Sequence, residues 1–501
     1  MRFSDLLQTL PNIIRRHGGD VEIAAIRYDS RRVSSGDLFV AMRGAHVDGH
    51  AFIEDAIRRG AAAVVAEEPL EGLTVPWAQV PDTRPALAAL SAAFYGYPGR
   101  RLRVIGVTGT DGKTTTCAMI SHILEAAGLK TGLISTVTFK VAERVWDNDT
   151  RQSTPEAPEI QGMLADMVAA GCQAVVIEST SHGLALHRVD GCEYDVAVMT
   201  NVTHEHLDFH GTIEAYRLAK ARLFEMLGAS FDKGFPKTGV VNLDDPNASL
   251  FIERSPEQVI TYAVESPSAL LRARDIVASP SSLLFTLDSP WGEIEVRLAL
   301  VGAFNVNNAL AAMGAAAAVG VSPSVAAEAL SSFRSVRGRM EVVDRGQPFS
   351  VIVDYAHTPD SFDKIMRTVQ PLARGRMIAV FGSAGERDRQ KRPLQGEIAA
   401  RYCQLLVLTD EDPRLEDREA ILREIADGAE KAGLRQGEGY VIIPDRAEAI
   451  RYAIRSARPG DVVLLLGKGH EGSIIYADGK IPWNERAAAE RALAELGYDD
   501  E

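Results

Sequence analysis

Short apolar runs recur along the chain, and most are followed by a polar, glycine-containing loop and then by helical spacing. Val104, Ile105 and Val107 begin one such unit. A loop with Gly109 and Gly112 follows, and residues 117–127 keep a helical period that stops at Gly128. The rhythm returns after apolar runs at 174–177, 196–202 and 240–245, and again at 351–353, 377–381, 405–408, 441–443 and 462–466. Strands apolar on both faces, alternating with helices, predict doubly wound parallel sheets with ligands at the carboxyl ends of the strands. Residues 1–97 read as a smaller α/β unit, with strands at 38–42 and 61–66 and a helix at 52–59. Residues 283–300 alternate around Ser289-Pro290-Trp291-Gly292 and predict a hairpin. Tyr97-Pro98-Gly99 and Arg337-Gly338-Arg339 mark breaks. The expectation is an α/β protein of three domains, 1–97, 98–336 and 337–501.

Composition narrows the class. The 501 residues are 46% hydrophobic and 24% charged, the balance of an ordinary globular protein. No apolar run approaches the ~18 residues a spanning helix needs, and the N-terminus shows no secretory pattern. Cys117, Cys172, Cys192 and Cys403 are scattered, as reduced thiols of a cytoplasmic protein would be. A net charge of −14 argues against nucleic acid and anionic membranes as partners. An anionic small substrate must then be met by locally placed cations and helix termini. A monomer with no membrane insertion is expected.

The stretch RVIGVTGTDGKTTT at 103–116 has the layout of a phosphate cradle. Backbone N–H groups and a helix N-terminus face the anion, Lys113 adds a point charge, and a Thr hydroxyl can reach Mg²⁺. The spacing is shorter than Walker A, because Val107 stands where the first glycine of that motif would be. Glu178 closes the apolar run 174–177. A carboxylate at that end of a parallel strand is placed for Mg²⁺, or it is simply solvated. The Ser30-Arg31-Arg32 and 44–49 loops can bind an anion or serve as turns. His204, His206, Asp208 and His210 alternate in THEHLDFHGT, which makes a zinc hydrolase the obvious rival, though helical zinc motifs place ligands four apart. Lys220 sits on a largely apolar helix at 213–227, where a lysine ordinarily snorkels to solvent.

Taken together, GVTGTDGKTTT, IESTSHGLALHRV, TNVTHEHLDFHGT, GAFNVNNALAA, GRMEV, VDYAHTPDS, GERDRQKRP, the DPR loop and GKGHE stand in the order seen in Mur ligases. The chain resembles that family over its whole length, and within it the branch that adds the third residue of the peptidoglycan stem peptide. The resemblance implies an N-terminal UDP-substrate domain, a central P-loop ATPase-like parallel sheet and a C-terminal Rossmann-like domain that brings in the amino acid. It implies that ATP, with Mg²⁺, activates a carboxylate as an acyl phosphate, which an amine then attacks.

The resemblance also assigns residues. Gly109, Thr110, Asp111, Gly112, Lys113, Thr114, Thr115, Asn305, Arg339 and Asp354 match nucleotide-contacting positions. Thr114, Glu178, His206 and Lys220 match the metal positions, with Lys220 as a CO₂-derived carbamate. Lys113, Glu178, His206, Lys220 and Arg339 are the implied catalytic set. Ser30, Ala45, His46, Val47, Ser153, Thr154, Thr180 and Arg188 match positions on the UDP-N-acetylmuramoyl dipeptide. Gln152, Leu186 and Asp111 depart from the residues usual there. Arg387, Glu411, Asp412, Pro413, Arg414, Gly467 and Glu471 match positions for a dibasic amino acid. Arg414 can grip a second carboxylate, which favours meso-diaminopimelate. Asp412, where an Asn is common, can instead welcome an ammonium, so L-lysine and L-ornithine stay open. A folate or storage-peptide ligase conflicts with the DSRR unit. A non-catalytic nucleotide-binding relative conflicts with the presence of all five catalytic positions.

Overall fold

A computed structural model describes residues 1–498 except 45, 46, 151, 204, 257, 280 and 281. Three main sheets follow one another along the chain. The first holds Arg15–His17, Trp77–Gln79, Ala63–Ala66, Leu38–Val40 and Ile26–Arg27 in that spatial order. Its first pair is antiparallel and the others are parallel. The helix Thr83–Phe94 buries Leu87 and Leu90 in the core on one face of this sheet.

The second sheet is centred on Arg103–Thr108, which pairs in parallel with Ala174–Glu178 on one side and Val196–Met199 on the other. Glu178 lies opposite Val107, and Met199 opposite Thr108. The three strands therefore end level, and their loops leave from one edge of the sheet. All five residues of Ala174–Glu178 are buried, as a central parallel strand covered on both faces requires.

The third sheet runs Glu341–Val343, Ser350–Asp354, Val462–Leu466, Met377–Phe381, Leu405–Leu408, Tyr440–Ile442. Only its first pair is antiparallel. Separate apolar clusters cover its two faces, one around Phe362 and Phe381, the other around Val380, Leu465 and Leu493. The family-level expectation of three α/β layers in succession holds. By compactness the chain divides in two: Met1–Arg274 with Leu287–Ile294 and Asn307–Leu330 form one unit, and Asp275–Thr286, Glu295–Val306 and Ser331–Glu501 the other.

Local structure departs from expectation in a few places. The helix after the phosphate loop begins at Lys113, four residues early, because Thr114–Thr116 join it. The loop expected at 179–191 contains the short helix Ser181–Ala185, capped by Thr180. The hairpin Ser473–Tyr476 with Gly479–Pro482 was not expected. All four cysteines are free and buried. Among the described residues no helix is long and apolar enough to cross a membrane.

Candidate active site

The loop leaving Arg103–Thr108 is shaped by two glycines. Gly109 has φ 147°, and a Cβ there would lie 1.8 Å from Thr200 Oγ1. Gly112 has φ 82°, and its Cβ would lie 2.2 Å from Asn308 Oδ1. Any side chain would be strained and displaced at both. Asn201 clamps the turn between them. Its carbonyl accepts from the Thr110 N–H at 2.8 Å, its side-chain oxygen accepts from the Asp111 N–H at 2.9 Å, and its amide donates to the Asp111 carbonyl at 3.2 Å. Thr200 Oγ1 donates to the same carbonyl at 2.6 Å. The N–H groups of Thr110 and Asp111 are thus spent inside the protein. The helix Lys113–Ala126 has no side-chain N-cap, so its first turn, including Thr114 and Thr115, keeps N–H groups directed at an incoming anion.

Two ammonium groups converge on this loop. Lys113 Nζ donates to the carbonyls of Gly109 at 3.0 Å and Thr110 at 2.7 Å. Lys220 Nζ donates to the Gly109 carbonyl at 2.5 Å and stands 4.4 Å from the centre of the Tyr216 ring. Lys220 does not snorkel: the residue is 1% exposed. Burial first, and then the Lys113 charge, holds its amine well below the ordinary lysine value.

Glu178 completes the edge. It accepts from the Thr114 hydroxyl at 3.0 and 3.1 Å and from the Thr136 N–H at 2.9 Å, both neutral donors. A hydroxyl and a buried carboxylate side by side are hard oxygen ligands, so this pair fits Mg²⁺. His206, at φ 55°, stacks in a group of rings with His182 (4.7 Å) and Tyr216 (6.2 Å). Burial lowers the pKa of His206 and takes that of His182 to about 4, so both rings favour the neutral form that a metal takes. His204 lies outside the described residues. Among the described residues, His206, Asp208 and His210 bring no three ligand atoms together. Asp48, His50 and Glu68 do, but Arg43 donates to Glu68 at 2.8 Å and both His50 nitrogens are engaged, by Asp48 and the Glu67 N–H.

The positions expected on the muramoyl dipeptide gather partly here. Thr154 Oγ1 donates to the Glu178 carbonyl at 2.7 Å and lies 3.0 Å from Thr180 Oγ1. Arg188 donates to the Thr154 carbonyl at 3.1 Å, with the Glu156 carboxylate 2.8 Å from its guanidinium. Ser153 precedes them, half-buried. Ser30 follows the edge strand Ile26–Arg27 of the first sheet and is buried at the start of the single turn Ser30–Arg32 that Asp29 caps. Tyr28 beside it donates to Glu159 at 3.1 Å. Val47 is exposed, and Ala45 and His46 lie outside the described residues.

The second unit carries the remaining positions. Asn305 donates to the Val301 carbonyl at 2.8 Å. The Arg339 guanidinium lies 5.2 Å from the Tyr355 ring centre, and its buried Nε has no hydrogen-bond partner among the described residues. Asp354 accepts from the N–H groups of Met340 and Ala356, both at 2.8 Å, and burial raises its pKa. It therefore fixes the backbone next to Arg339.

Glu411, Asp412, Pro413 and Arg414 follow the strand Leu405–Leu408, and Gly467 to Glu471 follow Val462–Leu466. The loops touch where a Cβ on Gly467 would lie 3.1 Å from Glu411 Oε2. Glu411 Oε2 and Arg414 Nε are buried without hydrogen-bond partners among the described residues. Burial raises the Glu411 pKa. Arg387 is exposed. The Asp412 carboxylate already holds an ammonium of this chain, accepting from Lys468 Nζ at 2.9 Å and from the Ile475 N–H at 3.0 Å. Lys468 Nζ also donates to Glu471 at 2.6 Å. Arg446 ties the two loops from below, donating to the carbonyls of Asp410 at 2.9 Å and Leu466 at 2.8 Å while paired with buried Glu485.

Sequence reasoning missed Asn201, Thr200, Asn308, Lys468 and Arg446. The first two close a strand beside the phosphate loop, and Lys468 sits inside GKGHE; those placements were the available signals.

A phosphate loop on a parallel sheet, with a magnesium-type carboxylate and a buried lysine at its edge, defines a nucleotide-dependent enzyme of the ligase kind. Family models bear this out: one described as the Mur ligase middle domain matches residues 107–316, the Mur ligase glutamate ligase domain matches 338–469, and the Mur ligase family catalytic domain matches 22–95. The chain belongs to the Mur ligase family. It is 57% identical to a UDP-N-acetylmuramyl-tripeptide synthetase of Roseiflexus sp. (strain RS-1), covering 99% of this chain and 100% of that one. It is 46% identical, over the same shares, to a UDP-N-acetylmuramoyl-L-alanyl-D-glutamate–2,6-diaminopimelate ligase of Geobacillus thermodenitrificans (strain NG80-2). A solved structure of an enzyme of that latter name superposes with a TM-score of 0.68 at 31% identity over 95% of each chain.

Proposed function

We propose that this protein is the ATP-dependent ligase that joins meso-2,6-diaminopimelate to UDP-N-acetylmuramoyl-L-alanyl-D-glutamate, the third-residue step of the peptidoglycan stem peptide. The observation that carries the reading is the meeting of Lys113, the Thr114–Glu178 pair and buried Lys220 at one edge of the central sheet. ATP lays its phosphates on the start of the helix Lys113–Ala126, and Lys113 exchanges two backbone carbonyls for phosphate oxygens. Thr114, Glu178 and His206 would hold magnesium, which would supply positive charge against the phosphates. A carboxylate of the D-glutamyl residue, steered by Thr154, Thr180 and Arg188, attacks the γ-phosphorus. The O–P bond to ADP breaks and an acyl phosphate forms. In this reading the Arg339 guanidinium would add positive charge for the transferring group.

The amine of the incoming amino acid then attacks the acyl carbon and loses a proton. The tetrahedral intermediate collapses, its C–O bond to phosphate breaks, and the amide remains. Lys220 serves as a carbamate: its ammonium first gives up a proton, and the neutral amine then adds CO₂ and releases a second proton, so a cation beside Lys113 is replaced by an anion. The lowered pKa of this amine supports that step. Arg414 grips the far carboxylate of diaminopimelate, a contact worth about 1.5–3 kcal/mol that L-lysine and L-ornithine cannot make. The reading implies a cytoplasmic enzyme acting as a monomer.

The test is a panel assay of the purified protein with ATP, Mg²⁺ and the UDP-muramoyl dipeptide, offering meso-diaminopimelate, L-lysine and L-ornithine separately. ADP release stimulated most strongly by meso-diaminopimelate is expected. Stimulation by none of the three sinks the third-residue assignment.

A further inference from the structure

Lys468 is the one cation of the second unit's ligand loops whose side chain is wholly enclosed and shared between two carboxylates of the amino-acid pocket, among the described residues. Its ammonium stands 2.9 Å from Asp412 and 2.6 Å from Glu471. The Ile475 N–H adds a third hydrogen bond to this cluster through Asp412. Arg414 and Glu411 are treated differently. Each keeps a buried polar atom, Nε and Oε2, without a partner among the described residues. The pocket thus offers one unspent cationic donor and one unspent carboxyl oxygen, while two further carboxylates share one internal cation, which offsets half of their charge.

Charge arithmetic gives this arrangement a consequence. An ordinary surface lysine would stretch to water rather than be enclosed by its neighbours. Here it cancels anionic charge that would otherwise attract any amino acid ending in a bare ammonium. An amino acid ending in both a carboxylate and an ammonium is near neutral at that end and loses less by the cancellation. We propose that Lys468 is a specificity-determining residue: it offsets one of the two negative charges that Asp412 and Glu471 present to the incoming side chain and so biases the pocket toward a zwitterionic terminus over a lone ammonium. This rests on the third-residue reading above and adds to it the residue that sets the pocket's charge.

Three variants test it by the ratio of kcat/KM for meso-diaminopimelate to that for L-lysine and for L-ornithine. Lys468→Met uncovers two carboxylates, and both ratios are expected to fall at least about tenfold, chiefly through lower KM for the two ammonium-ended amino acids. Asp412→Asn leaves Lys468 matched one to one by Glu471, so the cluster loses its excess negative charge and the ratios are expected to rise. Lys468→Arg keeps the charge and is expected to stay near the parent ratio. Should Lys468→Met not fold, the opposite-signed Asp412→Asn result decides the matter alone. Unchanged ratios, or ratios moving opposite to these signs, in an active parent enzyme overturn the role of Lys468 and leave the ligase assignment standing. A parent enzyme that uses none of the three amino acids overturns the functional reading and this inference with it.

Discussion

The two ligand edges of this molecule handle charge in opposite ways. At the phosphate loop, Lys113 and Lys220 are held on the backbone carbonyls of Gly109 and Thr110, which are dipoles and not anions. At the amino-acid loops, Lys468 is paired with Asp412 and Glu471, and Arg446 with Glu485. Carbonyl contacts are readily exchanged, and a buried, uncompensated cation is costly until an anion arrives. The first edge is therefore built to be completed by a polyanion. The second is compensated in advance, as suits a ligand that carries both signs.

The largest effect is expected at the uncompensated edge. Lys113→Ala removes the cation that follows the β- and γ-phosphates, and ATP-dependent phosphate release is expected to fall by at least about 10³-fold. The folded stability should change little, because only neutral carbonyls lose a partner. Turnover near the parent rate would place the nucleotide elsewhere.

The compensated edge should respond in stability instead. Arg446→Met leaves Glu485 buried without its partner and releases the Asp410 and Leu466 carbonyls that it cross-links. A loss of about 3–5 kcal/mol in urea unfolding is expected. The double change Arg446→Met with Glu485→Leu should recover much of it, since removing both charges removes the desolvation cost. A double variant as unstable as the single one would show that the carbonyl contacts, not the ion pair, hold the loops.

These contrasts also mark what could be read from the chain alone. The phosphate loop was legible because its parts are contiguous: apolar strand, Gly109, Gly112, Lys113 and helix lie within one short stretch. Glu178 was legible as a strand-end carboxylate. The compensation at the second edge was not, because its partners are far apart in sequence. Arg446 and Glu485 are 39 positions apart, and Lys468 and Asp412 are 56 apart. Arg446 opens the helix Arg446–Ser456 and is 1% exposed. The burial of Lys220 was not legible from its helix for the same reason: Gly109, which receives its ammonium, is 111 residues away. The Asn201 clamp was hidden behind the histidines of its own motif, which drew attention to metal and away from the backbone that Asn201 holds.

A smaller loss of activity is expected for Lys220→Ala, on the order of 10²-fold, with part of the activity restored by formate or acetate placed where a carbamate would sit. Lys220→Arg keeps a cation and should gain nothing from those anions. Full activity of the alanine variant without rescue would remove the carbamate from the mechanism.

The smallest effect concerns stability at the same residue, and its sign follows from linkage. In CO₂-free buffer the folded amine titrates well below the ~10.4 of an unfolded lysine. Between those two values the unfolded chain binds more protons than the folded one, so stability rises with pH through that window. Below the folded value both states are protonated and the full penalty remains; above ~10.4 it has vanished. Lys220→Met deletes the penalty, so the variant is expected to exceed the parent by about 1–2 kcal/mol at neutral pH, a Tm gain of roughly 2–8 °C. The gain should shrink as pH climbs toward 10. Bicarbonate should raise the parent's Tm and leave the variant's unchanged, because CO₂ captures the neutral amine of the folded state. A parent as stable as the variant at every pH would mean that Gly109 and Tyr216 compensate the buried ammonium, and that the phosphate-loop edge is less starved of negative charge than its geometry implies.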